Sequence, residues 1–403
     1  MRIEALHVKN YKVLRDLEMK DIPPLCVVIG ANGTGKTTLF DVFGFLKDCL
    51  DKNVTRALMS RGGFKEVCSR ETDMRSISFE VKFRMPIGNK DRLVTYLLVL
   101  KEERGKPYIE REVLRYKRGR HGHPYHFLDF SRGLGFAITN EEESTKKDEE
   151  LDREDQQLGS EDVLAIKGLG QFSRFKAASA FRQLIENWHV SDFFINSARG
   201  AKHPIGNDDH LSETGDNLQL VARNIHDHHP EIYEKIVTAM KHRVPGIDGV
   251  ETRTTEDGRL LLGFRDGSFK DPFVDRFVSD GTIKMFAYLI LLYAPVGHPV
   301  LCVEEPENQL YVNLLGELAE EFRSYANRGG QVFVSTHSPD FLNAIDINEV
   351  FWLVKEQGKT RAMRASDDDQ LQALINEGDK MGCLWKQGLF DNIDPKRVIP
   401  LMN

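Results

Sequence analysis

Cysteine is scarce in this chain, with five residues (Cys26, Cys49, Cys68, Cys302 and Cys383) and no C-x-x-C pair among them. That spacing excludes a disulfide framework and a zinc ribbon. Cys26 and Cys302 fall inside apolar runs, where a thiol serves as a small hydrophobe, the usage of a reducing compartment. No apolar stretch approaches the roughly 20 residues that span a bilayer. The opening Met1-Arg2-Ile3-Glu4 reads directly as a strand. The chain is therefore expected to have no secretory leader and no membrane segment, and to reside in the cytoplasm. Excess charge of one sign is lacking too. The net charge of −7 argues against polyanion binding over the whole surface and leaves room for a local basic face.

A hydrophobic content of 40% and a charged content of 29% describe an ordinary globular chain, long enough for a large core in one or two domains. Residues 3–8, 25–29, 77–83, 93–100 and 109–116 carry strand patterns. From 141 to 162 the texture becomes acidic and polar, which predicts a mobile surface loop. Apolar residues at helical spacing predict helices over 175–188 and 217–243, the second broken at Pro230. Residues 250–264 read as a hairpin turning at Asp257-Gly258. In the last third, apolar strands at 300–303, 332–335 and 350–354 alternate with helical stretches, as parallel α/β layers do.

Chemistry concentrates in four places. Residues 30–37 read GANGTGKT, in which backbone N–H groups cradle phosphates, Lys36 reaches the β- and γ-phosphates, and the Thr37 hydroxyl ligates Mg²⁺. An apolar strand precedes the loop and a helix follows it, so the helix N-terminus and its dipole face the anion. The acidic strand that should complete such a site comes only at PVLCVEEP, more than half the chain later. There Glu304 would hold the metal and Glu305 would orient the attacking water. Next, QVFVSTHSPD ends a further apolar strand and presents His337, whose imidazole would contact the γ-phosphate. Finally, Val278-Ser279-Asp280-Gly281-Thr282 opens an apolar helix and forms a second anion-reading helix end. One chain already supplies a phosphate loop, so this second end makes sense against the nucleotide of another subunit. The remaining histidine groups, His121, His123 and His126, and His226, His228 and His229, lie in polar stretches without metal-ligand spacing and are read as surface residues.

These pieces, in this order, resemble the ABC-type ATPases of the SMC, RecF and OLD group. Within that group they resemble the single-chain AAA-type ATPases called AAA_21. The resemblance spans nearly the whole chain: Asn10-Tyr11-Lys12, GANGTGKT, LSETGDNL at 211–218, VSDGT, EEPENQL, STHSPDFL and GCLWKQG at 382–388. It departs from the pattern at Leu310-Tyr311-Val312, where many relatives have a Leu-His-Pro turn, and it leaves only Gln171 as a candidate for the glutamine loop that senses Mg²⁺. The resemblance implies an α/β fold, an ABC-type P-loop ATPase head with an antiparallel β lobe and an inserted helical lobe. The parts are expected at 1–138 (N-terminal ATPase half with the β lobe), 139–165 (acidic mobile loop), 166–245 (helical insertion) and 246–403 (C-terminal ATPase half).

It also implies ATP and Mg²⁺ as cofactors. Gly30, Ala31, Asn32, Gly33, Thr34, Gly35, Lys36, Thr37 and Thr38 would bind the nucleotide, with Thr37 and Glu304 on the metal and Glu305 and His337 catalytic. Ser279 and Gly281 of one subunit would face the γ-phosphate held by Lys36 of the other, in a homodimer or higher homo-oligomer. The expected function is an ATP-hydrolysing switch in DNA repair or anti-phage defence that controls a separate effector, a nuclease or a toxin. DNA enters as a candidate ligand through the basic stretch REVLRYKRGR at 111–120. Two alternatives stay open. One is a non-catalytic ATP-dependent scaffold that sequesters a toxin or nuclease. The other is a transporter nucleotide-binding subunit, against which VSDGT and EEPEN both stand.

Overall fold

A computed structural model describes residues 1–70, 75–87, 90–119, 123–139, 150–191, 193, 195–202, 209–356 and 358–390. The chain forms two compact units. The first takes residues 1–188 and 346–379 and resumes at 384; the second takes 189–345 and 380–383.

In the first unit, β1 (Arg2–Tyr11), β2 (Leu14–Met19), β4 (Ser76–Ile87), β5 (Lys90–Glu103), β6 (Lys106–Tyr116), β7 (Tyr125–Ser131), β8 (Leu134–Ile138) and β9 (Arg153–Gln157) form an antiparallel sheet in the order β2-β1-β4-β5-β6-β7-β8-β9. Period-two patterning builds it. Along β4, Ile77, Phe79, Val81, Phe83 and Met85 are buried while their neighbours are not. All five strands expected in the first 116 residues are present. Arg153–Gln157 falls inside the acidic stretch 141–162 and nevertheless pairs with β8 from Leu134↔Gln157 to Ile138↔Arg153. An edge strand asks only for backbone partners and solvated side chains, which this composition supplies. Residues 141–149 of the acidic stretch lie outside the described residues.

Helices α1 (Lys36–Asp51) and α2 (Lys176–Asn187) also belong to this unit. Phe181 of α2 stacks on Phe83, with ring centroids 4.5 Å apart, and lies 4.3 Å from Tyr96. From α1, Phe45 meets Tyr11 and Phe79. Each such side chain taken from water contributes about 1.5–3 kcal/mol. Strand β3 (Leu25–Gly30) is buried at every residue, as its unbroken apolar run requires, and pairs in parallel with β16 (Val350–Glu356), which pairs with β17 (Lys359–Arg364).

The second unit carries the parallel strands β10 (His189–Ser191), β14 (Val300–Glu304) and β15 (Gln331–Ser335), with β14 between the other two. It also carries a three-stranded antiparallel sheet of β11 (Ile247–Thr254), β12 (Leu260–Asp266) and β13 (Phe273–Val274). The β11–β12 hairpin turns where Asp257-Gly258 predicted, with Gly258 at φ 80°. The long helical pattern splits into α3 (Leu218–His228) and α4 (Pro230–Arg243) because Pro230 takes the first-turn position its missing N–H allows. Helix α5 (Asp280–Tyr293) is buried from Thr282 through Leu292. Helix α6 (Leu315–Asn327) packs on it through Phe322 and Tyr288. No helix among the described residues is long and apolar enough to cross a membrane.

One carboxylate lies deep in the first unit. Strand alternation turns Glu112 of β6 inward, where it is fully buried. It accepts hydrogen bonds from the backbone N–H groups of Ala165 and Ile166 and from the Tyr96 hydroxyl. Burial outweighs those bonds and pushes its carboxyl up to about 7. A raised pKa in the folded state contributes stability that is present below the unfolded value and lost as pH rises through about 7. Wild-type melting temperature should therefore fall, relative to Glu112→Gln, as pH is raised from 5 to 8. A difference in Tm between the two proteins that stays constant over this range would refute the assignment.

Candidate functional site

The phosphate loop lies wholly in the first unit, between the end of β3 and the start of α1. Its glycines are steric requirements. A Cβ on Gly30 would fall 2.6 Å from Thr34 Oγ1 and 2.8 Å from the Leu353 carbonyl oxygen. Gly33 and Gly35 stand at φ 80° and 106°, where L side chains are strained. Gly35 is the N-cap of α1 and no side chain caps that end. Lys36 is 7% exposed and spans the loop, donating to the Gly30 and Ala31 carbonyls at 2.7 and 3.2 Å. Thr34 closes the turn onto Ala31, while Ala31, Asn32, Thr37 and Thr38 reach the surface in whole or part. From behind, the buried Thr360 of β17 donates its hydroxyl to the Thr34 carbonyl at 2.8 Å. Thr360 went unnoticed in the sequence, where nothing marks a lone threonine so far from the loop.

Alongside the loop, Asp41 of α1 is clamped by Tyr11, Lys12 and Arg61. This gives Tyr11, the last residue of β1, and Lys12 just after it a physical task. The three partners hold the Asp41 carboxyl below its ordinary value against the opposing effect of burial.

The acidic strand end and the histidine lie in the second unit, on neighbouring parallel strands, with Glu304 of β14 in register with Ser335 of β15. Glu305 leaves the strand at φ 44°, a left-handed conformation rare outside glycine and common at functional sites. Its N–H is held by the Ser335 carbonyl at 2.9 Å. Its carboxylate accepts from Asn308 Nδ2 at 2.9 Å and lies 3.5 Å from His337 Nε2. The structure thus brings Glu305 and His337 together.

Three further residues shape this place. Glu307 accepts from the Thr336 hydroxyl at 2.8 Å and from the His337 N–H at 2.7 Å, tying the two strand-end loops into one piece. Lys284 of α5 is 5% exposed and donates to the Asn308 carbonyl at 2.8 Å. Burial pulls its ammonium down to about 8, opposed by Glu307 and Glu305. A pocket of about 430 Å³ is lined by Lys284, Tyr288, Glu304, Glu305, Asn308 and Gln309 together with Ser191 and Phe193. The third, Gly382 of the GCLWKQG segment, backs the histidine loop. A Cβ there would fall 1.9 Å from the Pro339 carbonyl oxygen, and its N–H donates to Asn343 at 3.0 Å.

The VSDGT turn starts α5 as expected. Ser279 is the N-cap, accepting from the Thr282 N–H, and Gly281 packs so tightly that a Cβ would come 2.7 Å from the Gln309 carbonyl oxygen. Its glycine is therefore demanded by the turn after the acidic strand, whatever else approaches it. Gln171 is exposed and bonds the Lys167 carbonyl. His123, His226, His228 and His229 are exposed, His126 is paired with Asp129, and His121 lies outside the described residues.

A phosphate loop with an uncapped helix start, an acidic strand end joined to a histidine loop, and a serine-capped second helix fit the fold of a P-loop ATPase head of the ABC and SMC type. Two solved structures share the fold. One is the SmcHead bound to the C-winged helix domain of ScpA, at 12% identity over 90% of this chain and 97% of that one, with a TM-score of 0.54. The other is the Smc head domain with an extended coiled coil bound to the C-terminal domain of ScpA derived from Pyrococcus furiosus, at 11% identity over 93% and 99%, with a TM-score of 0.52. No curated protein sequence matches the chain. The chain belongs to the AAA_21 family, described as "AAA domain, putative AbiEii toxin, Type IV TA system", whose model matches residues 25–343.

Removing the Glu307 charge should loosen the histidine loop without touching the phosphate loop. Glu307→Gln is expected to lower ATP turnover roughly tenfold, since bonds to a charged acceptor contribute about 1.5–3 kcal/mol each. Nucleotide affinity measured by titration should stay at the wild-type value. Unchanged turnover would show that the tie between the loops has no catalytic weight.

Proposed function

We propose that this chain binds ATP with Mg²⁺ and hydrolyses it, associating as a homodimer or higher homo-oligomer around the nucleotide, and that the cycle switches a separate effector protein. The observation that carries the reading is the loop at 30–37. Its glycines leave no room for a Cβ or sit at positive φ, its helix start is uncapped, and Lys36 already crosses it. Gly30, Ala31, Asn32, Gly33, Thr34, Gly35, Lys36, Thr37 and Thr38 would hold the phosphates. Thr37 and Glu304 would hold Mg²⁺, which when bound neutralises charge on the β- and γ-phosphates.

Glu305 takes the proton of the attacking water from a left-handed backbone position at the end of the strand. His337 supplies a donor beside it, and Ser279 and Gly281 read the nucleotide of a second protomer. Of the two settings, DNA repair and anti-phage defence, the second draws support from the family description, which names a toxin of a toxin–antitoxin system. The ScpA-bound SMC heads offer the parallel for a partner protein. Four of the five cysteines are buried as small apolar side chains, a usage that supports a cytoplasmic site of action.

Glu305→Gln should leave ATP binding intact and slow turnover roughly 10²- to 10⁴-fold. Hydrolysis at the wild-type rate would overturn the base assignment. Wild-type turnover at background, with and without DNA, would favour a non-catalytic scaffold that sequesters a toxin or nuclease.

DNA as a ligand draws support from one feature of the first unit. Lys82, Arg92, Arg115, Lys117 and Arg118 line a groove of about 720 Å³ beside Asp91. Glu80 pairs with both Lys82 and Arg115, so two of the five charges are partly offset. Reversing Arg115 and Arg118 to Glu should abolish salt-dependent retention of duplex DNA. Retention equal to wild type at low salt would remove this groove from the reading.

A further inference from the structure

The VSDGT turn contains an electrostatic conflict. A helix start that reads a phosphate should be positive, yet Asp280 stands between Ser279 and Gly281 on the first turn of α5. A carboxylate there is favourable to the helix itself, but it competes with an arriving phosphate for the same N–H groups and dipole. In the second unit Asp280 does not stand alone. Arg199 donates to its carboxylate and, through the other guanidinium nitrogen, to the carbonyls of Asp275 at 2.6 Å and Arg276 at 3.2 Å. The Arg199 side chain is 17% exposed and that of Asp280 49%, so water screens the pair from the Asp280 side.

The rest of the surroundings hold Arg199 in that position. Asp275 is 1% exposed and accepts from the Gly200 N–H at 3.1 Å and from Gln219 Nε2 at 2.9 Å. Gln219, fully buried, also donates to the Ala198 carbonyl at 2.7 Å. Residues 198–200 are therefore gripped on both sides of the arginine. Gln219 directly follows the LSETGDNL segment, which no role had yet claimed. Within that segment, Asn217 accepts from the Ser212 N–H at 2.8 Å and donates to the His210 carbonyl at 3.0 Å, shaping the turn that starts α3. The network runs from LSETGDNL through Gln219 and Asp275 to Arg199, and from there to Asp280.

We propose that Arg199 is a positioning residue of the VSDGT turn, neutralising Asp280 and turning its carboxylate aside so that this helix start can receive the γ-phosphate held by another protomer. The inference rests on the ATPase reading given above. It assigns LSETGDNL-Gln a task as well, since that segment fixes the backbone carrying the arginine. Arg199 acts through Asp280, and no contact with nucleotide is required of it. Neutralisation explains why an aspartate is tolerated at a position where a bare carboxylate would repel the ligand.

The test is a double-mutant cycle on the full chain, read as steady-state ATP turnover and as ATP-dependent self-association by sedimentation. Arg199→Ala should lower kcat roughly 10- to 100-fold, the weight of a charge-assisted bond, and weaken association. Binding of a fluorescent ATP analogue at protein concentrations below association should be unchanged. Asp280→Asn, which removes the charge that Arg199 would neutralise, supplies the reference corner of the cycle. The Arg199→Ala/Asp280→Asn protein should recover most of the loss, because the arginine has nothing left to neutralise.

A double mutant as impaired as Arg199→Ala would overturn the proposal, showing that Arg199 only supports the Asp275 and Arg276 carbonyls. Wild-type behaviour of Arg199→Ala would overturn it as well. If the alanine variant does not fold, Arg199→Gln keeps donors for the carbonyls without the charge, and its rescue by Asp280→Asn is read in the same way. Wild-type protein that neither turns over ATP nor associates with it would remove the ATPase reading and this inference with it. Normal wild-type activity with no rescue removes the inference alone.

Discussion

Two hydrogen bonds to a single carboxylate organise the strand-end loops of the second unit. Glu307 receives the Thr336 hydroxyl and the His337 N–H, and so joins the turn after β14 to the turn after β15. Parallel strands place their C-terminal ends side by side, but nothing in strand pairing fixes the loops beyond them. Glu305 is already held by the Ser335 carbonyl and Asn308, and the Glu307 tie brings the His337 loop to it. With it, a left-handed Glu305 and an imidazole 3.5 Å away are held as one constellation. Lys284 reinforces the same turn through the Asn308 carbonyl, and its buried ammonium balances the field of Glu305 and Glu307.

The sequence made the local parts of this arrangement legible. GANGTGKT, the apolar runs of β3, β14 and β15, the break at Pro230 and the turn at Gly258 each encode structure over fewer than a dozen residues. Short-range patterns of this kind depend on backbone propensity and burial period, which a single sequence displays. What it did not display were partners distant along the chain. Thr360 supports the phosphate loop from the far end of the chain, and Glu112 finds its backbone donors at Ala165 and Ile166. Arg199 meets Asp280 across the whole of α3, α4 and the β11–β13 sheet. Such pairs have no spacing rule. Their only signal is a polar residue in an apolar or motif context, as with Glu112 beside the apolar Val113 and Leu114 of β6.

The acidic stretch shows the same limit from the other side. Its composition cannot bury a core, yet Arg153–Gln157 forms an edge strand, because a growing sheet presents backbone donors and acceptors to whatever segment lies next to it. Composition governs whether a segment can order itself. Neighbouring structure governs whether it is ordered.

Glycines in the motifs carry two meanings that the sequence merges. At Gly33 and Gly35 the backbone needs positive φ, which belongs to the shape of a phosphate cradle. At Gly281 and Gly382 the conformation is unremarkable, and the demand is for space against the carbonyls of Gln309 and Pro339. Both of those carbonyls lie in the turns that follow β14 and β15. The glycine of VSDGT thus lets the start of α5 press against the turn carrying Glu305, so that a shift of one moves the other. Any alanine at Gly281 must displace that turn. Loss of activity in such a variant would follow from packing inside one protomer, even with no change in how the helix start meets a phosphate.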